Sequence, residues 1–433
     1  MTFLQLPSLT ETSATLCVLL ILLVPLAGIG LALLNTGLGR SRSAAHTMLA
    51  SVCVVAVAAI VYVIFGFSWQ GAVGQPAHSL SVGGKTWNWI AAGAFFLRGV
   101  RLDFSPPALI ILLQMFSVGL VAMIPLSSGA DRWRLGPACV STALLAGCTY
   151  PLFAHWVWGG GWLAQLGANS GFGQGFVDAG GSGTLQAVGG LTALSITWIL
   201  GPRRGKYSDD GMPAAIPGHN VVLALLGCLF ALLGWLGLNS AGAILFLGVE
   251  PSRVVLISIN TTLSAAASAL TAAVVTRVRF GRPDASLCAN GWMAGLVASS
   301  AAAPFLKPAA AILVGIVAGG LIPVVVEWME FKLAIDDPGG AVPVHAVGGI
   351  WGLLAVALLT DAGSRGQWLA QLIGIATLLG FVFPLTYGLN WLLNRFYRQR
   401  VDEEGEWQGM DLRELGAGAY PEFAVHSDEF MQH

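Results

Sequence analysis

The chain has 433 residues, 55% of them hydrophobic and only 10% charged, with a formal net charge of −1 and a mean hydropathy of +0.74. A soluble domain of this length needs far more polar cover, and a nucleic-acid binder needs a basic surface, so both classes are excluded. The apolar runs are continuous rather than alternating, which points to an all-α integral membrane protein and away from a β-barrel.

Eleven transmembrane spans are expected, at 15–35, 47–67, 105–128, 136–155, 180–201, 219–240, 253–275, 287–304, 308–330, 341–360 and 367–394. No Lys or Arg precedes Arg40 and Glu11 lies ahead of the first span, which lacks the basic start of a signal peptide and favours an N-terminus outside. On that topology 15 of the 21 Lys and Arg residues fall on the cytoplasmic side, and Lys85, Arg98, Arg101, Arg253, Lys307 and Arg365 fall outside. This agrees with the positive-inside rule. The expectation is therefore a membrane domain over 1–395, N-out and C-in, in the cell (inner) membrane, with a charged cytoplasmic tail over 396–433.

Between the spans, 68–104 reads as an outer loop whose aromatics (Trp69, Trp87, Trp89, Phe95, Phe96) suit the interface, and 164–177 as a Gly-rich outer loop. The six cysteines are scattered singly and form no Cys/His cluster, so no metal or other cofactor is expected. The tail is too short and too poor in apolar residues for a catalytic domain, so the chain does not read as an enzyme.

One thirteen-residue phrase occurs twice. Asp178 to Gly190 reads D-A-G-G-S-G-T-L-Q-A-V-G-G, and Asp337 to Gly349 reads D-P-G-G-A-V-P-V-H-A-V-G-G. The polar residue eight after the Asp is Gln186 in one copy and His345 in the other. Span five starts outside and span ten inside, so the copies enter the membrane from opposite faces, as inverted five-helix repeats would, with span eleven added. Eight helical residues at ~1.5 Å each carry each polar side chain ~12 Å inward, so the two meet near the midplane. A core His is often only a satisfied packing residue, but in lipid a polar pair at a pseudo-twofold axis points to a substrate path. Asp178 and Asp337 read as helix N-caps, Asp178 with an added electrostatic role at the outer mouth, and the Gly pairs as packing residues.

The chain also resembles the ammonium transporter/Mep/Rh family over nearly its whole length. The words that carry the resemblance are P-L-F-A-H-W-V-W-G-G-G-W-L at 151–163, D-A-G-G-S-G-T-L-Q at 178–186, G-W-L-G-L-N-S-A-G at 234–242, N-G-W-M-A-G-L-V at 290–297, I-D-D-P at 335–338, V-H-A-V-G-G-I-W-G at 344–352 and G-M-D-L-R-E-L-G-A-G-A-Y at 409–420. The resemblance implies a homotrimer with a narrow pore in each subunit that passes ammonium or ammonia. It places the ammonium-holding vestibule tryptophan at Trp158 and an Asp at Asp178, and it puts the twin histidines at Gln186 and His345. The vestibule serine becomes Gly242. One gate aromatic becomes Ser117, beside Phe116, and the other becomes Leu238. Gln186 cannot titrate, so a two-imidazole proton relay is lost. The expected function is ammonium transport; the alternative is an ammonium-binding sensor that signals through a cytoplasmic partner. Gly409, Asp411, Gly416 and Tyr420 match a tail segment that packs on cytoplasmic loops, where relatives dock a PII-type signal protein.

Overall fold

The structure, a computed structural model, describes residues 6–360 and 365–420. Among the described residues, ten helices are long and apolar enough to cross a membrane, and the chain is a multi-pass membrane protein. They are α1 (Glu11–Leu38), α2 (Ser41–Gln70), α3 (Pro106–Ser128), α4 (Leu135–Ser170), α5 (Ser182–Leu200), α6 (Val221–Leu247), α7 (Pro251–Phe280), α9 (Pro308–Leu333), α10 (Val342–Leu359) and α11 (Arg365–Phe396). Between α7 and α9 lies α8 (Ala285–Ser299), 15 residues long where a span over 287–304 was expected. The helix stops because the chain turns over 300–305, through Pro304, and that turn gives backbone carbonyls to other elements.

Side chains and imino rings fix the helix starts. The Thr10 hydroxyl accepts from Ser13 N–H, Asn220 from Leu223 N–H and Asp284 from Leu287 N–H, while Pro106 and Pro308 open α3 and α9 where no N–H is needed. Small residues then let helices touch backbone to backbone. On the α1–α6 seam a Cβ at Gly30 would sit 2.5 Å from the Gly227 carbonyl oxygen, so only glycine fits.

The two expected loops carry structure. Within 68–104, β1 (Ala77–Val82) pairs antiparallel with β2 (Lys85–Ala91), joined by Gly83 and Gly84, both at positive φ. In 164–177 the first half is helical, because α4 breaks after Trp158, resumes at Trp162 and runs to Ser170 before Gly171 turns left-handed.

The end of the chain ties helix starts together. The Asp411 carboxylate accepts from the Ala45 N–H at 3.2 Å and the His46 N–H at 2.7 Å, at the start of the α-helical part of α2. Glu414 accepts from the Leu135 N–H at 2.7 Å, at the start of α4. Gly409, at φ 99°, lies against Arg42, and Tyr420 meets His219 at 3.1 Å. Of the expected tail, 421–433 lies outside the described residues.

Candidate functional site

Both copies of the phrase begin with the same backbone device. The second glycine of each pair, Gly181 and Gly340, has a positive φ, +92° and +70°, a conformation that suits glycine alone. The Gly pair is therefore conformational as well as slim, which corrects a reading of packing only. Each helix then opens with a wide π-helical turn, Ser182–Ala187 in α5 and Val342–Val347 in α10, rather than the regular helix assumed from the Asp onward.

The carboxylates are caps, as expected, though they act from the loop. Buried Asp178 accepts from the N–H groups of Gly181 (3.1 Å), Gly183 (3.0 Å) and Thr184 (2.8 Å) and from the Thr184 hydroxyl (2.8 Å). Four donors hold its charge, and among the described residues no cation pairs with it. Asp337 accepts from the Ser128 hydroxyl at 2.7 Å and the Val342 N–H at 2.8 Å.

The Ala-Val-Gly-Gly ends bring the copies together. A Cβ on Gly190 would collide with Ala346, and a Cβ on Gly349 would lie 3.1 Å from the Ala187 nitrogen. The last glycine of each phrase thus rests on the alanine of the other. This reciprocal crossing puts Gln186 and His345 in contact across 159 residues of sequence: His345 Nδ1 lies 2.7 Å from Gln186 Oε1, with both side chains buried. An amide oxygen only accepts, so in this arrangement Nδ1 carries the proton and Nε2 keeps its lone pair. The Gln186 NH₂ has no partner among the described residues. The pair therefore offers one free donor and one free acceptor, and a single titratable ring.

Trp158 ends the first part of α4 and donates its indole N–H to the Asp178 carbonyl at 2.8 Å. Its ring is stacked on Phe246 of α6, with centroids 4.2 Å apart and planes 7° from parallel. Phe246 thus covers one face of the ring expected to hold ammonium. Gly242 lies one turn before Phe246; a Cβ there would approach the Ala179 carbonyl oxygen at 2.7 Å and Phe246 Cδ2 at 3.6 Å. The 178–180 loop comes so close that a larger residue at 242 would push it away. The loop is fixed from behind by the end of α8 and the turn after it: Gly180 N–H donates to the Ser300 carbonyl and the Ser182 hydroxyl donates to the Val297 carbonyl.

The two positions where gate aromatics were expected hold a serine and a leucine. Leu238 is buried on α6. Ser117 is buried on α3 and donates to the Leu113 carbonyl at 2.8 Å. Phe116, beside it, is half-buried and packed against the core.

A charge network missed by the sequence reading lies near the start of the second phrase. Arg203 grips Asp336 with two hydrogen bonds of 2.9 Å and meets Asp131 at 3.1 Å, and Arg132 lies 3.8 Å from Asp336. Burial opposes the charge of Asp336, but Arg203 and Arg132 hold its pKa down at about 2. The adjacent acids of I-D-D-P were the available signal: two carboxylates in an apolar stretch require partners.

Residues 14–420 match the model of the Ammonium Transporter Family. The chain is 34% identical to ammonium transporter Amt2 of Archaeoglobus fulgidus, over 92% of this chain and 86% of that one. It is 32% identical to an ammonium transporter of Bacillus subtilis, over 92% and 96% of the two chains. Among solved structures it resembles a "Sensor Amt Protein" with a TM-score of 0.83 and 28% identity, covering 93% of this chain and 97% of that one. It also resembles Candida albicans Mep2 with a TM-score of 0.77 and 25% identity, covering 95% and 90%.

Proposed function

The chain belongs to the Ammonium Transporter Family, and from that premise we propose that it carries ammonium-derived nitrogen across the membrane along a path past Trp158, Leu238, Gln186 and His345. The observation that carries this reading is the 2.7 Å contact between His345 and Gln186. Ammonia both donates and accepts hydrogen bonds, and the pair offers it the free lone pair of His345 Nε2 and the unpartnered NH₂ of Gln186. A buried amide does not exchange a proton, so no second imidazole receives what His345 releases, and the nitrogen crosses as ammonia without a coupled proton. Relatives named as ammonium transporters support the substrate.

The same reading extends to architecture. α8 completes eleven helices, α1–α5 and α6–α10 form inverted repeats, and α11 is added. The matched glycine turns, the paired π-turns and the reciprocal glycine contacts support that symmetry. The N-terminus lies outside, the tail after 395 is cytoplasmic, and three copies assemble in the inner membrane. The helix starts held by Asp411 and Glu414 belong to the face on which a PII-type partner would dock.

A second reading has one specific observation behind it. Phe246 covers the ring expected to hold ammonium, and one similar structure is named a sensor. On that reading the chain binds ammonium with little flux and signals through a separate cytoplasmic partner. Purified protein in vesicles separates the two, with ammonia flux and ammonium-evoked current read for wild type and Gln186→His. Transport predicts flux from wild type; the absence of flux of either species would sink it. Binding without flux, abolished by Trp158→Leu, would establish the sensor.

A further inference from the structure

The face of an indole is the strongest cation-receiving surface a side chain can offer, effective when the ion lies within about 6 Å of the ring centroid. At Trp158 that surface is occupied. Phe246 lies flat on the ring at 4.2 Å, a separation that is already van der Waals contact, and no ion fits between the two planes. The indole is 4% exposed, so its other face is packed as well, and its N–H is committed to the Asp178 carbonyl. Beside Gly242 the Ala179 carbonyl oxygen comes closest, 2.7 Å from where a Cβ would be, and Phe246 Cδ2 borders the same space at 3.6 Å. The phenylalanine therefore covers the indole face and lines the space beside Gly242.

Its position allows it to leave. Phe246 is the penultimate residue of α6, whose last turn ends at Leu247 and is capped by Gly248 at φ 62°. The residue is 8% exposed, against 4% for Trp158. Phe246 is on α6 and Trp158 on α4, so a change of the Phe246 side-chain rotamer is the motion that would uncover the indole. Meanwhile the two positions where gate aromatics were expected hold Ser117 and Leu238, neither of which stacks.

We propose that Phe246 is the gate of this chain: it stands on the indole of Trp158 in place of the cation and must rotate away before an ammonium ion can bind there. The proposal rests on reading Trp158 as the cation-receiving ring, and it holds whether the chain transports or only binds. It makes affinity at this site a competition between Phe246 and the ion for one aromatic face.

The test is methylammonium binding to the full-length purified chain, measured by titration calorimetry, with flux measured in parallel in vesicles. Phe246→Ala removes the competitor and is expected to tighten methylammonium binding ~10-fold, or ~1.4 kcal/mol. Phe246→Tyr keeps a stacking ring and is expected to bind as wild type does. In a Trp158→Leu background, Phe246→Ala should produce no gain. Thermal melting of each variant checks that the fold is retained, and Phe246→Leu serves if the alanine variant does not fold. Unchanged or weaker binding by the folded variant, or an equal gain without Trp158, overturns the gate. Wild-type flux independently decides the transport reading, so the two failures are distinguishable.

Discussion

In the first copy of the repeated phrase, Asp178 holds its buried charge with four neutral donors from its own turn. In the second, Asp337 has bonds to Ser128 and Val342, and the adjoining Asp336 is locked by Arg203 and Arg132. The glycine turn, the π-turn and the crossing glycine are shared. What differs is the electrostatics: one helix start is neutralised by dipoles, the other stands beside two guanidinium groups. A repeated backbone thus fixes where side chains meet, and leaves the chemistry at each end free to diverge.

The largest way to break this comparison is to remove the carboxylate that only the second copy has beside it. Asp336→Asn leaves Arg203 and Arg132 buried and short of charge, and is expected to cost about 3–5 kcal/mol, read as a fall in thermal stability in detergent. An equal loss from Asp337→Asn would mean that the charge difference between the copies has been misplaced. Next, Asp178→Ala should cost about 3 kcal/mol and more than Asp337→Ala, because more donors lose their acceptor. The melting temperatures of the two variants rank them directly.

The pH dependence of stability separates the ends further. The folded pKa of Asp336, about 2, lies below the unfolded value of about 3.9. Its contribution is therefore full above about pH 4 and is lost as pH falls toward 2, a total of about 2–3 kcal/mol. Wild type should lose this increment on acid titration and Asp336→Asn should not. The smallest effects concern the shared turn. Gly181→Ala and Gly340→Ala each impose a left-handed φ on an L-residue, at about 1–2 kcal/mol, before steric costs. Parallel losses would support the common backbone device.

The phrase itself was legible in the sequence, and so was the meeting of Gln186 with His345, because an eight-residue offset after a shared Asp fixes the same depth in both copies. The apolar runs marked the long helices, but α8 is shorter than its run, since 300–305 turns to fix the Asp178 loop. The hairpin replaces the plain outer loop expected over 68–104; Gly83-Gly84 between two short segments is the sequence signal that marks it. Phe246 could not be read. Nothing in an apolar helix end says that its ring will lie on an indole 88 residues earlier, since that contact depends on how α4 and α6 approach each other. The partners of Asp336, Arg132 and Arg203, lie 204 and 133 residues earlier in sequence.

The central claim is that the one mismatch between the copies, Gln186 opposite His345, passes ammonia while interrupting its proton. The direct measurement is ammonium-evoked current alongside ammonia flux in the same vesicle preparation, for wild type and Gln186→His. Wild type should show flux with little current, and Gln186→His should gain current of at least ~10-fold as a second imidazole restores a proton path. Wild type carrying one charge per nitrogen, with Gln186→His no different, would contradict the account.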